Sequence, residues 1–131
     1  MYYKKEFGYD GEEIATEYLF NLGYSIIARN FTCKIGEIDI IALDQTIKEP
    51  EIVFIEVKTR FDTRCGNPAE AVDQYKVRHI YRSAEYFLRI NNLENHYARF
   101  DVIEILKGKN EKPMINHIKK AILDKPKRGR E

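Results

Sequence analysis

The sequence predicts an α/β domain whose mixed central β-sheet is flanked by helices, in the element order α-β-β-β-α-β-(β). Three observations carry that prediction. Two segments place apolar residues at helical spacing. Between them lie three runs rich in Ile, Val and Phe, divided by turn-forming residues. A fourth such run follows the second helical segment, which therefore reads as a crossover able to bring that strand in parallel.

The first helix is expected to start at Asp10, a good N-cap, with Glu13 three residues on as in a capping box. Ile14, Ala15, Tyr18, Leu19 and Leu22 recur at helical spacing, and Gly23 holds the usual C-terminal position. Tyr24 to Thr32 is β-rich, and Lys34-Ile35-Gly36 offers a turn. Glu37 to Leu43 is the second strand, Asp44 to Pro50 a polar connection, and Glu51 to Arg60 the third strand. These three consecutive strands pair naturally as a meander. Phe61 to Ala69, with Gly66 and Pro68, reads as a loop.

The second helix is expected from about Ala69 to Ile90, with an apolar stripe of Val77, Ile80, Ala84, Phe87 and Leu88, and Asn91-Asn92 breaks it. Arg99 to Leu106 is the fourth strand. Lys107 to Lys112 is a turn region, and Met114 to Ile118 reads as a fifth, edge strand.

The totals bound the function. With 131 residues, 44% hydrophobic and 33% charged, the chain suits one globular domain and excludes disordered and fibrous classes. That domain is set at residues 1–122, followed by a basic tail at 123–131. No apolar run reaches membrane-span length, and the N-terminus lacks the apolar run of a signal peptide, so a cytoplasmic protein with no membrane partner is expected. Cys33 and Cys65 form no CxxC and have no clustered histidines, which argues against zinc and for free thiols, with Cys65 in a polar stretch. The net charge of +1 argues neither for nor against nucleic acid. The basic stretches Lys119-Lys120 and Lys125 to Arg130 are either a solvated tail or a phosphate-attracting arm.

The second and third strands carry the functional signal. Alternate strand residues share a face. Glu37, Asp39 and Ile41 therefore fall on one face of the second strand, and Ile38, Ile40 and Ala42 on the other. On the third strand, Ile52, Phe54, Glu56, Lys58 and Arg60 share a face. Charge beside large apolar residues on one face points to a partly buried site. If the two strands form an antiparallel hairpin centred between Ile47 and Lys48 with no bulge, Asp39 lies opposite Glu56, and Glu37 opposite Lys58.

Side chains so opposed have Cβ atoms about 4.5–5.5 Å apart. Two carboxylates at that spacing repel unless a cation lies between them. Mg²⁺ suits such a site because it takes oxygen ligands, typically one or two carboxylates with water and substrate phosphate. It activates water and polarises a phosphoryl oxygen. Lys58 is placed to neutralise charge developing on phosphorus. An acid-x-Lys tripeptide by itself is cheap, and an opposed Glu–Lys pair can be an ordinary cross-strand ion pair. The combination of Gly36-Glu37-Ile38-Asp39 with Glu56-Val57-Lys58 is more specific.

Asp on one strand, then Glu-x-Lys at the end of the next, with a helix on either side, resembles the restriction-endonuclease-like PD-(D/E)xK nuclease fold. Within it the chain is similar to the YraN family of predicted endonucleases, which resemble archaeal Holliday junction resolvases. The matching stretches run from about Gly11 to Ile105. They include Gly11-Glu12, Leu22-Gly23-Tyr24, Ala28-Arg29-Asn30-Phe31, Gly36 to Ala42, Phe54 to Arg60 and Arg99 to Val102.

The resemblance implies that Asp39 and Glu56 bind Mg²⁺ or Mn²⁺, that Lys58 assists catalysis, and that Glu12 is the acid of the first helix near the metal. Glu12 lines up with Ala15 and Leu19, although an acid near a helix start also has a purely electrostatic use. Arg60, Arg64, Lys76 and Gln74 are candidate nucleic-acid contacts, with a surface lysine the bland reading of Lys76. Ile38 stands where the motif's proline would be. The expected function is a metal-dependent endonuclease on DNA, including branched or junction DNA, and a homodimer would suit a symmetric junction. The alternatives are a non-catalytic nucleic-acid-binding module on the same scaffold and a protein-interaction domain.

Overall fold

The computed structural model describes residues 3–60, 74–108 and 112–121. Among the described residues, two helices and five strands follow the expected order: α1 Tyr3–Leu22, β1 Ser25–Thr32, β2 Glu37–Asp44, β3 Glu51–Arg60, α2 Gln74–Ile90, β4 Ala98–Leu106 and β5 Met114–Ile118. The strands form one mixed sheet in the order β1-β2-β3-β4-β5. β1, β2 and β3 are an antiparallel meander, β3 and β4 are parallel, and β5 returns antiparallel along β4. A parallel pair needs a crossover, and α2 lies in that connection. The loop expected at 61–69, the first residues of the expected second helix, Arg64, Cys65 and the tail at 123–131 lie outside the described residues.

Alternation along the strands divides the core into two faces. Val53 and Ile55 of β3, Ile40 and Ala42 of β2, and Ile103 and Ile105 of β4 pack with Ala15 and Leu19 of α1. Ile41, Ile52 and Phe54 pack on the opposite face with Ala84 and Phe87 of α2. Phe87 meets both Phe31 and Phe54 edge-on, at ring-centroid distances of 5.2 and 6.1 Å. Edge-to-face contact suits the aromatic quadrupole.

The start of α1 differs from expectation. The helix begins at Tyr3, so Asp10 lies inside it and does not cap it. Gly11 then sits mid-helix, where glycine costs about 1 kcal/mol against alanine. Close packing explains its presence: a Cβ at Gly11 would overlap Thr59 Oγ1 and lie 3.3 Å from Thr59 Cβ. Gly11 lets α1 approach β3 and brings the next residue, Glu12, toward the sheet. Gly11→Ala is expected to destabilise the domain by about 1–3 kcal/mol through overpacking, against its higher helix propensity. Urea denaturation checks this, and an equal or higher midpoint would refute it. The other end of α1 is as expected, with Gly23 at φ 104° and Tyr24 N–H bonded to Leu19 O at 3.0 Å.

A buried polar network ties the strands together at the far end. Arg99 lies in the core with its side chain 6% exposed. It reaches Asp44 at 2.8 Å, Glu51 at 2.8 Å, Asp101 at 3.0 Å and the Tyr24 hydroxyl at 2.8 Å. His117 of β5 approaches Asp101 at 2.7 Å and the Tyr18 hydroxyl at 2.9 Å.

Candidate active site

The register between β2 and β3 is the one the sequence implied. Ile40 pairs with Ile55, Ile41 with Phe54, and Asp44 with Glu51. The same alignment puts Asp39 across from Glu56, but the described ladder ends at Ile40–Ile55. Beyond it the Asp39 side chain takes over, and Val57 N–H donates to Asp39 Oδ2 at 2.8 Å. A carboxylate oxygen thus satisfies an amide of a strand that would otherwise bond to a neighbouring carbonyl. The hydrogen bond anchors Asp39 beside Glu56.

The facing of β2 also departs from simple alternation here. Ile38 was expected on the face of Ile40 and Ala42, yet it packs with Ile41 and Phe54 on the α2 side. On β1, Ala28 and Phe31 likewise sit against that same cluster, three residues apart. Between them is Asn30, at φ 53° and aligned with Asp39 by the β1–β2 register. A left-handed residue between two strand segments swaps which side its neighbours face. It is a conformation that Asn tolerates better than most residues. The distortion is centred on the carboxylate-bearing position.

A cavity opens beside it, lined by Glu37, Asp39 and Glu56 from the strands and Lys76, His79 and Ile80 from α2, with a volume of about 240 Å³. Lys76 Nζ lies 2.8 Å from Glu56 Oε2. So Lys76, one turn before the core residue Ile80, points across the crossover to the carboxylate.

Charges surround Asp39. Burial pushes its carboxyl up to about 7; the Val57 amide and Lys76 pull it down, while Glu56 and Glu12 raise it further. Burial holds the Lys58 ammonium below its ordinary range, and the Lys76 charge adds to this, against Glu56. Glu12 is therefore within electrostatic reach of Asp39, and its side chain is 18% exposed, with Arg29 Nη2 at 3.7 Å. Because α1 starts at Tyr3, Glu12 is not at the positive helix end, and the helix-start reading fails for it. Arg60 ends β3, half-buried, and its charge acts on Lys58. Gln74 opens α2.

Among the described residues, no group of three or more His, Cys, Asp or Glu side chains is arranged to hold a metal ion. The pocket lining brings three carboxylates, Glu37, Asp39 and Glu56, beside one imidazole, His79, and Lys76 already bonds Glu56. The sequence reading missed His79 and left Glu37 undecided. His79 follows Lys76 by three residues, which puts both on neighbouring faces of a helix, and that spacing was the signal available.

Asp39 has a stability consequence with a definite sign. Its folded pKa of about 7 lies above the ordinary carboxylate value near 3.8, so the folded state holds the extra proton between those values. Stability therefore falls as pH rises from about 4 to 7 and stays lowered above. Without divalent cations, Asp39→Asn is expected to raise the melting temperature at pH 8 by several degrees and to change it little at pH 4. A variant that melts lower than the parent at pH 8 would contradict this.

Comparison with known proteins gives a consistent result. The model of the uncharacterised protein family UPF0102 matches residues 11–105. A UPF0102 protein of Caldicellulosiruptor saccharolyticus is 48% identical over 119 residues, covering 90% of this chain and 98% of its own. One from Clostridium perfringens strain 13 is 50% identical over 103 residues, covering 79% and 81%. One from Caldanaerobacter subterraneus is 42% identical over 120 residues, covering 90% and 95%. The matched region runs from the glycine that seats α1 on β3 to the end of the core of β4, and the chain belongs to the UPF0102 family, also known as the YraN family.

Proposed function

We propose that the chain is a Mg²⁺- or Mn²⁺-dependent endonuclease of PD-(D/E)xK type that hydrolyses phosphodiester bonds in DNA, with branched or junction DNA as its substrate. One observation carries the reading: the strand pair parts at Asp39, so that Asp39 and Glu56 share a pocket with Lys76 while Lys58 stands next along β3.

The donor set fits a hard cation. Two carboxylates and no sulfur or clustered imidazole suit Mg²⁺ or Mn²⁺, which complete their shells with water and substrate phosphate. Asp39 and Glu56 would hold the ion, with Glu12 close by on α1. The bound ion would supply Lewis-acid polarisation of the phosphoryl oxygen and a more acidic water.

The rest falls to the chain's own groups. The Val57 amide fixes the Asp39 carboxylate in one orientation. Lys58 sits where it can neutralise charge growing on phosphorus. Lys76 exchanges its bond to Glu56 for a bond to substrate phosphate. Arg60, with Arg64 and Gln74, would contact the flanking backbone. A homodimer would address two strands of a symmetric junction.

A second reading has one observation in its favour. The ammonium of Lys76 already neutralises Glu56, as expected of a binding module that has no need of a metal. The two readings separate in a cleavage assay on labelled four-way junction, flap, single-stranded and linear duplex DNA, with Mg²⁺, Mn²⁺ or EDTA. The nuclease cuts the branched substrates with either metal and none in EDTA. Salt-sensitive binding with no cutting under either metal would leave the binding module.

A further inference from the structure

The outer face of α2 has a composition that the pocket does not explain. At about 100° per residue, Tyr75, Arg78, His79, Arg82, Tyr86 and Arg89 fall within an arc of about 100°. The arc lies opposite Val77, Ile80, Ala84 and Phe87, which face the sheet. Tyr75 is 66% exposed, and Arg78, Arg82 and Arg89 are exposed. The stripe contains no carboxylate.

Along the whole helix four cations, Lys76, Arg78, Arg82 and Arg89, stand against Glu85, a formal +3. The entire chain carries only +1, so positive charge is concentrated here. A merely solvated helix face gains from alternating signs at i,i+4, whereas Arg78 and Arg82 are like charges at that spacing and repel.

Aromatic rings are interleaved with these charges. The Tyr75 and His79 rings lie 4.2 Å apart at 32°, and His79 Nδ1–H donates to Tyr75 O at 2.9 Å, which holds the imidazole beside the phenol. His79 also lines the pocket that holds Asp39 and Glu56. Farther along, the Arg89 guanidinium lies over the Tyr86 ring at 5.9 Å. From Tyr75 to Arg89 the stripe extends about 21 Å. Cations that track a phosphate backbone, with rings on which bases stack, are what recognition of an unpaired strand requires. A duplex hides its base faces and would leave Tyr75 without a use.

We infer that the outer face of α2 is a track for a single-stranded segment of nucleic acid, which stacks an unpaired base on the Tyr75–His79 pair at the pocket mouth and runs its phosphates along Arg78, Arg82 and Arg89. This rests on the reading of the adjoining pocket as the phosphodiester-cleaving site, and it deepens that reading. The substrate class becomes DNA with an unpaired strand at the point of cleavage, as at a flap or an opened branch.

The test is binding of the full chain in EDTA, where no cleavage occurs, to a labelled single-stranded oligonucleotide and to a blunt duplex of equal length, across a salt series. The parent is expected to prefer the single strand. Arg78→Gln combined with Arg82→Gln is expected to weaken single-strand binding about tenfold and to reduce the slope of log K against log salt by about 1.4, some 0.7 for each lost phosphate contact. Tyr75→Leu is expected to weaken it about tenfold with the slope unchanged, and Tyr75→Phe to restore it.

As a measurement on the parent protein, a 2-aminopurine base in the single strand is expected to be quenched on binding. Equal affinity for duplex and single strand, an unchanged salt slope in the arginine double variant, or no quenching would each overturn the track. Cleavage in Mg²⁺ reads the pocket separately. Track binding without cleavage rejects the nuclease alone, and cleavage with an unchanged salt slope rejects the track alone.

Discussion

Glu56→Gln is expected to reduce metal-dependent DNA cleavage by about a thousandfold, and Lys58→Ala by about a hundredfold or more, the scale set by losing one charge aimed at a transition state. Gln keeps the shape of Glu and still accepts a hydrogen bond from Lys76, but it removes the negative charge that would hold the cation. Both positions are partly exposed in the second half of β3 and neither side chain is a member of the two apolar clusters, so the melting temperature should move by only a few degrees. Lys58→Arg separates charge from shape. Arginine keeps the charge, yet its planar fork cannot replace a point charge in a confined site, and partial activity is expected at most. Single-turnover cleavage of a four-way junction in Mg²⁺ reads all three. Activity near the parent level in both Glu56→Gln and Lys58→Ala would sink the assignment and identify the cutting as a contaminant.

Arg99→Met should cost about 3–5 kcal/mol of stability, because it leaves Asp44 and Asp101 buried without their cation and Glu51 without its partner. For a domain of this size that lowers the melting temperature by about 10–20 °C. Arg99→Lys should recover little, since an ammonium cannot bridge three carboxylates and the Tyr24 hydroxyl at once.

Acid dependence sharpens the test. Burial pushes Asp44 up, but the Thr46 hydroxyl at 2.6 Å, the Thr46 amide at 2.9 Å and Arg99 together hold it down to about 2. Its folded pKa lies below the ordinary value near 3.8, so its contribution is present above about pH 4 and is lost as pH falls toward 2. Removing Arg99 should move the acid-unfolding midpoint upward. A midpoint and melting temperature equal to the parent's would show that the network contributes nothing to the fold.

The two experiments probe opposite ends of one sheet, and the ends differed in how much the sequence disclosed. The β2–β3 register agrees from Ile40 to Asp44 with the hairpin centre supposed between Ile47 and Lys48, and the structure holds it because a one-residue slip would turn Ile40, Val53 and Ile55 out of the core. The same arithmetic aligned Asp39 with Glu56. Glu12 was legible because Ala15 and Leu19 mark the buried side of its helix.

Other features were hidden for identifiable reasons. The start of α1 was misjudged because Asp10 with Glu13 reads as a capping box, whereas the helix runs on through Gly11, which answers to Thr59, far along the chain. The displaced facing of Ile38 accompanies that of its partner Phe31 beside Asn30, whose left-handed backbone no residue pattern announces. Tyr75 is one of nine tyrosines, and only its exposure and its stacking on His79 set it apart.

The sequence by itself determined the element order, the helical crossover and the placing of Asp39, Glu56 and Lys58 on neighbouring strands, because each depends on local spacing and on which face must be buried. Only the tertiary structure decided that Lys76 pairs with Glu56, that His79 joins the pocket and that Arg99 gathers three carboxylates. Those contacts join elements distant in the chain, and their geometry comes from packing, which local periodicity does not encode.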